Sequence, residues 1–416
     1  MKKLFLYFIL GLTLLLTGCI KDGKIIDKDK PKEDKSKEES ELDKELESKD
    51  NIEKIIDKMT LDEKIGQLMI IGINGLTIDD HTKEMIEKYH IGGFILFKYN
   101  IADENQTLEL LNNLKKVNST NPIPLFLSID EEGGRVSRLP NSFIKLPAAK
   151  RIGDINDKDI SLEYGKIIGK RLKSLGFNMN FGPVLDVNSN PQNPVIGDRA
   201  FGSSSKTVVD NGMQVMKGIK SENIVAAVKH FPGHGDTNMD SHIDLPVIEK
   251  DLNDLEKIEL VPFKESIKQG VDTIMIGHIL FPKLDNQYPA TLSKEIITGL
   301  LREKLSYEGL IISDDMTMGA IIKNYTIEEA AIKFLKAGGD LLLICHGYEN
   351  HVKIINRIKE EVNKGSISED ELDEKLYRII QIKEKYKLED HLIERLDMDT
   401  LNSKTQELMN KIDKKN

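Results

Sequence analysis

Over residues 51–390, short apolar runs alternate with longer stretches in which apolar positions recur every three or four residues. The short runs are Leu68–Ile73, Gly93–Phe97, Leu125–Ile129, Phe177–Phe181, Val225–Val228, Thr273–Ile276, Leu310–Ile312 and Leu341–Ile344. They are rich in Ile, Val, Leu and Phe and nearly continuous, the pattern of strands covered on both faces. Stretches such as Ile160–Leu175, Ser205–Ser221, Asn253–Gln269 and Glu328–Lys336 carry a single apolar stripe and read as helices. Eight strands with helical connections predict an α/β fold, a single (β/α)8 TIM-type barrel, whose usual size is roughly 250 residues plus insertions. An open doubly wound sheet is the alternative with the same alternation. No segment repeats and no Pro/Gly-rich linker divides the domain. From about Ser366 the chain reads as one more helix, followed over 391–416 by a polar tail.

Ahead of the barrel the pattern changes. Lys2 and Lys3 precede an apolar run, Leu4–Leu16, that is too short to span a bilayer. It ends in Leu16-Thr17-Gly18-Cys19, which has the form of a lipobox; an ordinary secretory signal that contains a cysteine is the plainer alternative. The expectation is a lipoprotein signal peptide over residues 1–18, lipidation at Cys19, and a mature chain held outside the cytoplasm on a lipid anchor. Residues 19–50 are almost wholly Lys, Asp, Glu and Ser. Such a segment buries too little surface to offset chain entropy, and a disordered charged tether is expected.

Composition narrows the chemistry. The 416 residues hold 59 Lys+Arg against 69 Asp+Glu, a net charge of −10, so there is no basic field for nucleic acid. Loss of residues 1–18 would take Lys2 and Lys3 and bring −10 to −12. With only Cys19 and Cys345, a disulfide framework and a multi-thiolate metal centre are excluded, and Cys345 reads as inert packing. There is no Trp, so any carbohydrate role must rest on polar pocket contacts more than on aromatic platforms.

Polar clusters follow the strands, where barrel enzymes keep their chemistry. Asp130-Glu131-Glu132-Gly133-Gly134-Arg135 follows the third strand, Lys229–His242 the fifth and Ser313-Asp314-Asp315 the seventh, while His278 ends the sixth and Cys345-His346 the eighth. Three of the nine histidines fall in KHFPGHGDTNMDSH. His230 and His234 have helical spacing for a metal, but Pro232, Gly233 and Gly235 forbid the helix. A Gly-rich turn with structural histidines is one remaining reading; the other is acid–base work, with the Asp240 carboxylate orienting the His242 imidazole. Of the aspartate pair, Asp315 suits a cap for the Met316–Ile322 segment, which leaves Asp314 as either a second capping group or a nucleophile at the barrel mouth. Asp130, with Arg135 and Arg138 nearby, reads either as surface ion pairing or as a set that holds sugar hydroxyls.

Together IDEEGGRVSRL, IGDRAFG, KHFPGHGDTNMDSH and ISDDMTMGA resemble glycoside hydrolase family 3, in particular its bacterial β-N-acetylglucosaminidases, over about residues 52–385. The resemblance implies Asp314 as the catalytic nucleophile, His242 as the acid/base and Asp240 as its partner. It implies that Asp130, Arg138, Arg199, Lys229 and His230 bind the N-acetylglucosamine ring; Arg199 reads as plain loop without it. Many members carry a second, sandwich-like domain that the sequence given lacks, so few contacts to the leaving part of the substrate are expected. The implied reaction is a retaining, exo-acting hydrolysis of terminal N-acetyl-β-glucosamine, with peptidoglycan fragments as the expected source, by a monomer that needs no metal or organic cofactor. Two rivals are a phosphorylase of the same fold, because a neutral histidine does not repel phosphate, and a lipid-anchored protein that binds muropeptides without turnover.

Overall fold

The computed structural model describes residues 48–415, and the signal, the Cys19 lipobox and nearly all of the tether lie outside them. The chain divides into two compact units, Met1–Asp50 and Asn51–Asn416. Of the first, only residues 48–50 are described, and they are helical. In the second, eight parallel strands form one sheet in the order β7-β6-β5-β4-β3-β2-β1-β8. They are β1 (Met69–Gly72), β2 (Gly93–Leu96), β3 (Phe126–Ile129), β4 (Met179–Asn180), β5 (Val225–Phe231), β6 (Thr273–Ile276), β7 (Leu310–Ser313) and β8 (Leu342–Ile344). The sheet closes between its two end strands through the parallel bridge Ile312–Leu341. All eight predicted strands are present and the architecture is the expected (β/α)8 barrel; an open sheet would have left β7 and β8 as free edges.

Local chemistry accounts for the helices. Lys158–Leu175 begins two residues earlier than its apolar stripe because Asp157 caps the amides of Asp159 and Ile160, and it ends at Gly176, whose φ of 105° suits glycine. Ser204 caps Ser205–Ser221, and a capping box of Thr326 with Glu329 opens Ile327–Lys336. The single helix expected over Asn253–Gln269 is two, Leu252–Lys257 and Leu260–Lys268. Pro262 explains the break: lacking an amide hydrogen, it is tolerated in the first turn of the second helix but not inside one long helix.

The stretch read as a polar tail, 391–416, contains a helix, Met398–Asp413, that packs on Lys158–Leu175. Its buried face is only Thr405, Leu408 and Ile412, about one apolar contact per turn, too sparse to stand out as a stripe.

Two strand boundaries place the chemistry. β4 is shorter than its apolar run, because Gly182 and Pro183 turn the chain away after Asn180. β5 runs three residues past Val228, and its register with β6 shifts between Val228 and Phe231. A charged lysine looks like a strand end in sequence; here Lys229 and His230 are buried with partners and belong to the strand.

Candidate active site

Asp130, Arg138, Arg199, Lys229, His230, Asp240, His242 and Asp314 all line one cavity of about 260 Å³ at the C-terminal ends of the strands. That volume fits one sugar ring better than a chain of them.

Its floor is a buried ion network. Lys229 Nζ lies 2.5 Å from Asp130 Oδ1 and 2.8 Å from Glu132 Oε1. Arg199 holds Glu132 with both prongs, Nε to Oε2 and a terminal nitrogen to Oε1, each at 2.8 Å. Burial penalises the charges of Glu132, Arg199 and Lys229, yet Arg199 and Lys229 together drive the Glu132 carboxyl well below its usual range, and both cations are held protonated. Two carboxylates against two cations leave the floor neutral, and one Asp130 oxygen keeps no partner among the described residues. A neutral set of strong donors and acceptors is what sugar hydroxyls require once their water is stripped away.

Beside it stands a carboxylate–imidazole pair that includes a residue the sequence reading missed. Asp186, fully buried, takes the His230 Nδ1–H at 2.7 Å and the His234 backbone amide at 2.6 Å. Burial opposes its charge, but His230 and His234 together outweigh that and the carboxyl sits below its usual value. With Nδ1 engaged, His230 Nε2 is the ring nitrogen left for a ligand. The only sequence signal for Asp186 was a carboxylate closing the apolar run after Pro183. Glu132 was also missed as a site residue, because an Asp-Glu-Glu run reads as surface.

Asp314 is partly buried at the end of β7, with its Oδ1 accepting the Asp315 amide at 2.8 Å. Burial raises the cost of its charge; the His230 and His278 imidazoles, that amide and Lys229 reverse the balance and hold the carboxyl at about 2. It is therefore an ionised carboxylate at neutral pH, free of any ion pair within contact range among the described residues. Asp315 is not the helix cap expected of it. Its Oδ1 accepts the amides of Thr317 at 2.9 Å and Cys345 at 3.0 Å, tying the turn to the end of β8, while the helix Gly319–Ile322 starts after Met318. His278 supports the same turn by donating Nε2–H to the Asp315 carbonyl at 2.9 Å.

The rim carries the second pair. Asp240 Oδ1 accepts both the His242 amide at 2.9 Å and its ring Nδ1–H at 2.8 Å. Burial pushes the Asp240 carboxyl up, the two His242 contacts pull it down, and the net direction is down. Nδ1 is thus fixed as a donor, and Nε2 is free to give and take a proton. The His242 side chain is 66% exposed, so it stands over the cavity and not within it.

This loop is docked on the segment that follows the nucleophile candidate: the Ala320 amide donates to Ser241 O at 3.1 Å. Gly319 permits the approach, since a Cβ there would come within 2.5 Å of His242 O.

His230 and His234 do not share a metal site. His234 Nδ1 meets Thr237 Oγ1 at 2.9 Å and Nε2 meets Ser241 Oγ at 3.1 Å. No group of three potential metal-binding side chains converges among the described residues. His346 packs on Phe97 with ring centroids 5.3 Å apart at the opposite rim, and Cys345 is buried beneath it.

Residues 60–382 match the family described as the glycosyl hydrolase family 3 N-terminal domain. The chain is 34% identical over 333 residues to beta-hexosaminidase A of Pseudoalteromonas piscicida, covering 74% of this chain and 56% of that protein. It is 33% identical over 303 residues to a beta-hexosaminidase of Nitrosomonas eutropha, covering 71% of this chain and 85% of that one. The structure resembles a family 3 beta-N-acetylglucosaminidase from Paenibacillus sp. strain FPU-7, with a TM-score of 0.81 and 38% identity over 86% of this chain and 69% of the other. The chain thus spans little more than half of the first of these relatives and most of the second.

Proposed function

The chain belongs to glycoside hydrolase family 3, and from that premise we propose that it is a retaining, exo-acting β-N-acetylglucosaminidase that removes terminal N-acetyl-β-glucosamine residues from small carbohydrates. One observation carries the reading. An ionised Asp314 and the carboxylate-bound His242 line the same one-ring cavity, over a neutral floor of hydroxyl partners.

In the first step an Asp314 oxygen attacks the anomeric carbon as the glycosidic C–O bond breaks, and His242 Nε2–H passes its proton to the leaving oxygen. In the second step His242 takes a proton from water, whose oxygen displaces Asp314 and restores the configuration. Asp240 stabilises the imidazolium of the first step and keeps Nδ1 protonated throughout, so the exchanged proton is always the one on Nε2. Asp130, Lys229, Arg199 and the His230 Nε2 hold the ring for attack, with Arg138 completing the wall.

A second reading is favoured by one feature: a neutral His242 in the second step leaves room for a phosphate anion as acceptor in place of water. The test is release of 4-nitrophenol from its N-acetyl-β-glucosaminide by the chain from Asn51 on, with and without phosphate. Release independent of phosphate supports the hydrolase; release that climbs with phosphate, with a sugar 1-phosphate as product, transfers the reading to a phosphorylase. No turnover under either condition would leave a binding protein.

The physiological setting belongs to this proposal too: a lipid-anchored monomer outside the cytoplasmic membrane, trimming N-acetylglucosamine from peptidoglycan fragments. What supports it is the lipobox form of Leu16–Cys19. Cys19→Ser should move activity from the membrane fraction to the soluble fraction, and unchanged partitioning would remove the anchor.

A further inference from the structure

A second cavity, of about 200 Å³, is enclosed by the loop after β3, by Lys98 and by the helix Lys158–Leu175. Four cationic side chains line it, Lys98, Arg135, Lys145 and Arg171, and no carboxylate does. In a chain of net charge −10 that is a local reversal of sign.

Arg171 is the telling member. It is 1% exposed, and its hydrogen-bond partners are a carbonyl and a hydroxyl, with no carboxylate within ion-pair range among the described residues. One terminal nitrogen donates to Ile144 O at 2.6 Å and Thr405 Oγ1 at 2.7 Å, while the buried Arg171 Nε–H has no acceptor among the described residues. The Phe143 ring, 5.7 Å away, supplies a weaker counterpart. The acid that faces Arg171 is Glu131, whose oxygens are already taken by the Ser137 hydroxyl and the Arg138 amide, each at 2.9 Å. A buried guanidinium with an unused donor is costly unless something occupies it. The other cations differ in availability. Arg135 is held by Asp198 at 2.8 Å, Lys98 donates to Leu139 O at 3.0 Å, and Lys145 is exposed with no partner among the described residues.

We propose that this cavity is an oxyanion site, sized for one carboxylate or phosphate group, and that during turnover it takes a carboxylate carried by the leaving part of the substrate. Its place supports the link, because Arg135 lines both this cavity and the sugar cavity. A planar guanidinium suits the two oxygens of such a group, and Lys145 at the surface can balance its charge. The assignment of the ligand to the substrate rests on the glycosidase reading; the oxyanion site does not. A free anion of the same chemistry is the other source.

The test uses one N-acetyl-β-glucosaminide of a short hydroxy acid, as the free acid and as its methyl ester, so that the same oxygen leaves and the negative charge is present in one and removed in the other. The wild type should prefer the acid in kcat/KM by about tenfold, the worth of one charge-assisted hydrogen bond. Lys145→Gln and Arg171→Lys should each shrink that preference by about threefold or more, and phosphate should compete with the acid alone. Arg171 is buried and its variant can fail to fold; Lys145→Gln, at the surface, keeps the question open to an answer.

Binding is read separately, as a phosphate-dependent rise in the unfolding midpoint of the wild type that Lys145→Gln lacks. That rise without any acid preference would keep the oxyanion site and assign it to a free anion. Equal turnover of acid and ester in all three proteins, with no phosphate effect on rate or unfolding, would overturn the proposal. If neither glycoside turns over, the glycosidase reading fails, and the unfolding shift still decides whether the site exists.

Discussion

Twelve positions apart in the sequence, His230 and His242 each give Nδ1–H to an aspartate, at 2.7 and 2.8 Å, and yet they sit in opposite surroundings. The inner pair is sealed: His230 is 5% exposed and Asp186 not at all. The outer pair stands in solvent at the rim, with His242 two-thirds exposed. The same hydrogen bond therefore does different work. Sealed among fixed charges, an imidazole is a rigid donor or acceptor for a ring held in place. In contact with water, it can exchange protons with solvent after each transfer, as a group acting first as acid and then as base must. The difference is one of access, set by which element carries each residue: β5 for His230, a loop docked on Ala320 for His242.

The largest effect should come from the group that both pairs serve. Asp314→Ala should lower kcat/KM by at least ~10⁴-fold while leaving circular dichroism unchanged. Near-normal turnover would remove the nucleophile and the comparison with it. Next comes the inner pair. Asp186→Ala strands the buried His230 and His234 donors and should cost about 3–5 kcal/mol of stability in urea unfolding. What activity survives should be reduced alike for good and poor leaving groups, because a positioning residue does not transfer the proton.

The histidine between the two pairs sharpens the contrast through pH. Burial and the neighbouring His230 charge depress His234 to about 4, against an ordinary imidazole value of 6.5. Between those values the unfolded chain binds the proton and the folded chain does not. His234 thus contributes full stability above pH 6.5, and about 3 kcal/mol is lost as the pH falls to 4. His234→Gln should flatten that slope in urea midpoints, and an unchanged slope would contradict it. Asp314, at about 2, stays ionised through this window, so an acid limb of activity above pH 4 must come from another group.

The smallest effect concerns docking of the rim loop. Gly319→Ala would drive a methyl group against His242 O and Ile243 O, and should lower kcat/KM by about tenfold with little change in stability. A loss of stability with unaltered kinetics would show that the close approach serves packing alone.

Much of this was legible in the sequence. Continuous Ile/Val/Leu runs marked the eight strands, because strands covered on both faces have no polar side to interrupt them. The residues taken from the family resemblance, from Asp130 to Asp314, line a single cavity. What escaped notice depended on partners distant in sequence. Asp186 is an ordinary aspartate until β5 brings His230 to it across 44 residues. Glu132 looked like surface charge until Arg199, 67 residues away, closed on it. Gly319 has meaning only once the loop from His242 lies on it. The C-terminal helix was hidden by its narrow apolar face, though Thr405 from that face helps to hold Arg171.

The most direct test of the inner and outer roles is kcat/KM of His242→Ala on two substrates, 4-nitrophenyl and methyl N-acetyl-β-glucosaminide, because kcat/KM reports the step in which the leaving group departs. A proton donor at the rim predicts a loss on the order of 10²–10⁴-fold for the methyl glycoside, and less than about tenfold for the nitrophenyl one, whose leaving group needs no proton. Equal losses on both substrates would contradict the account and make His242 a second positioning residue like His230.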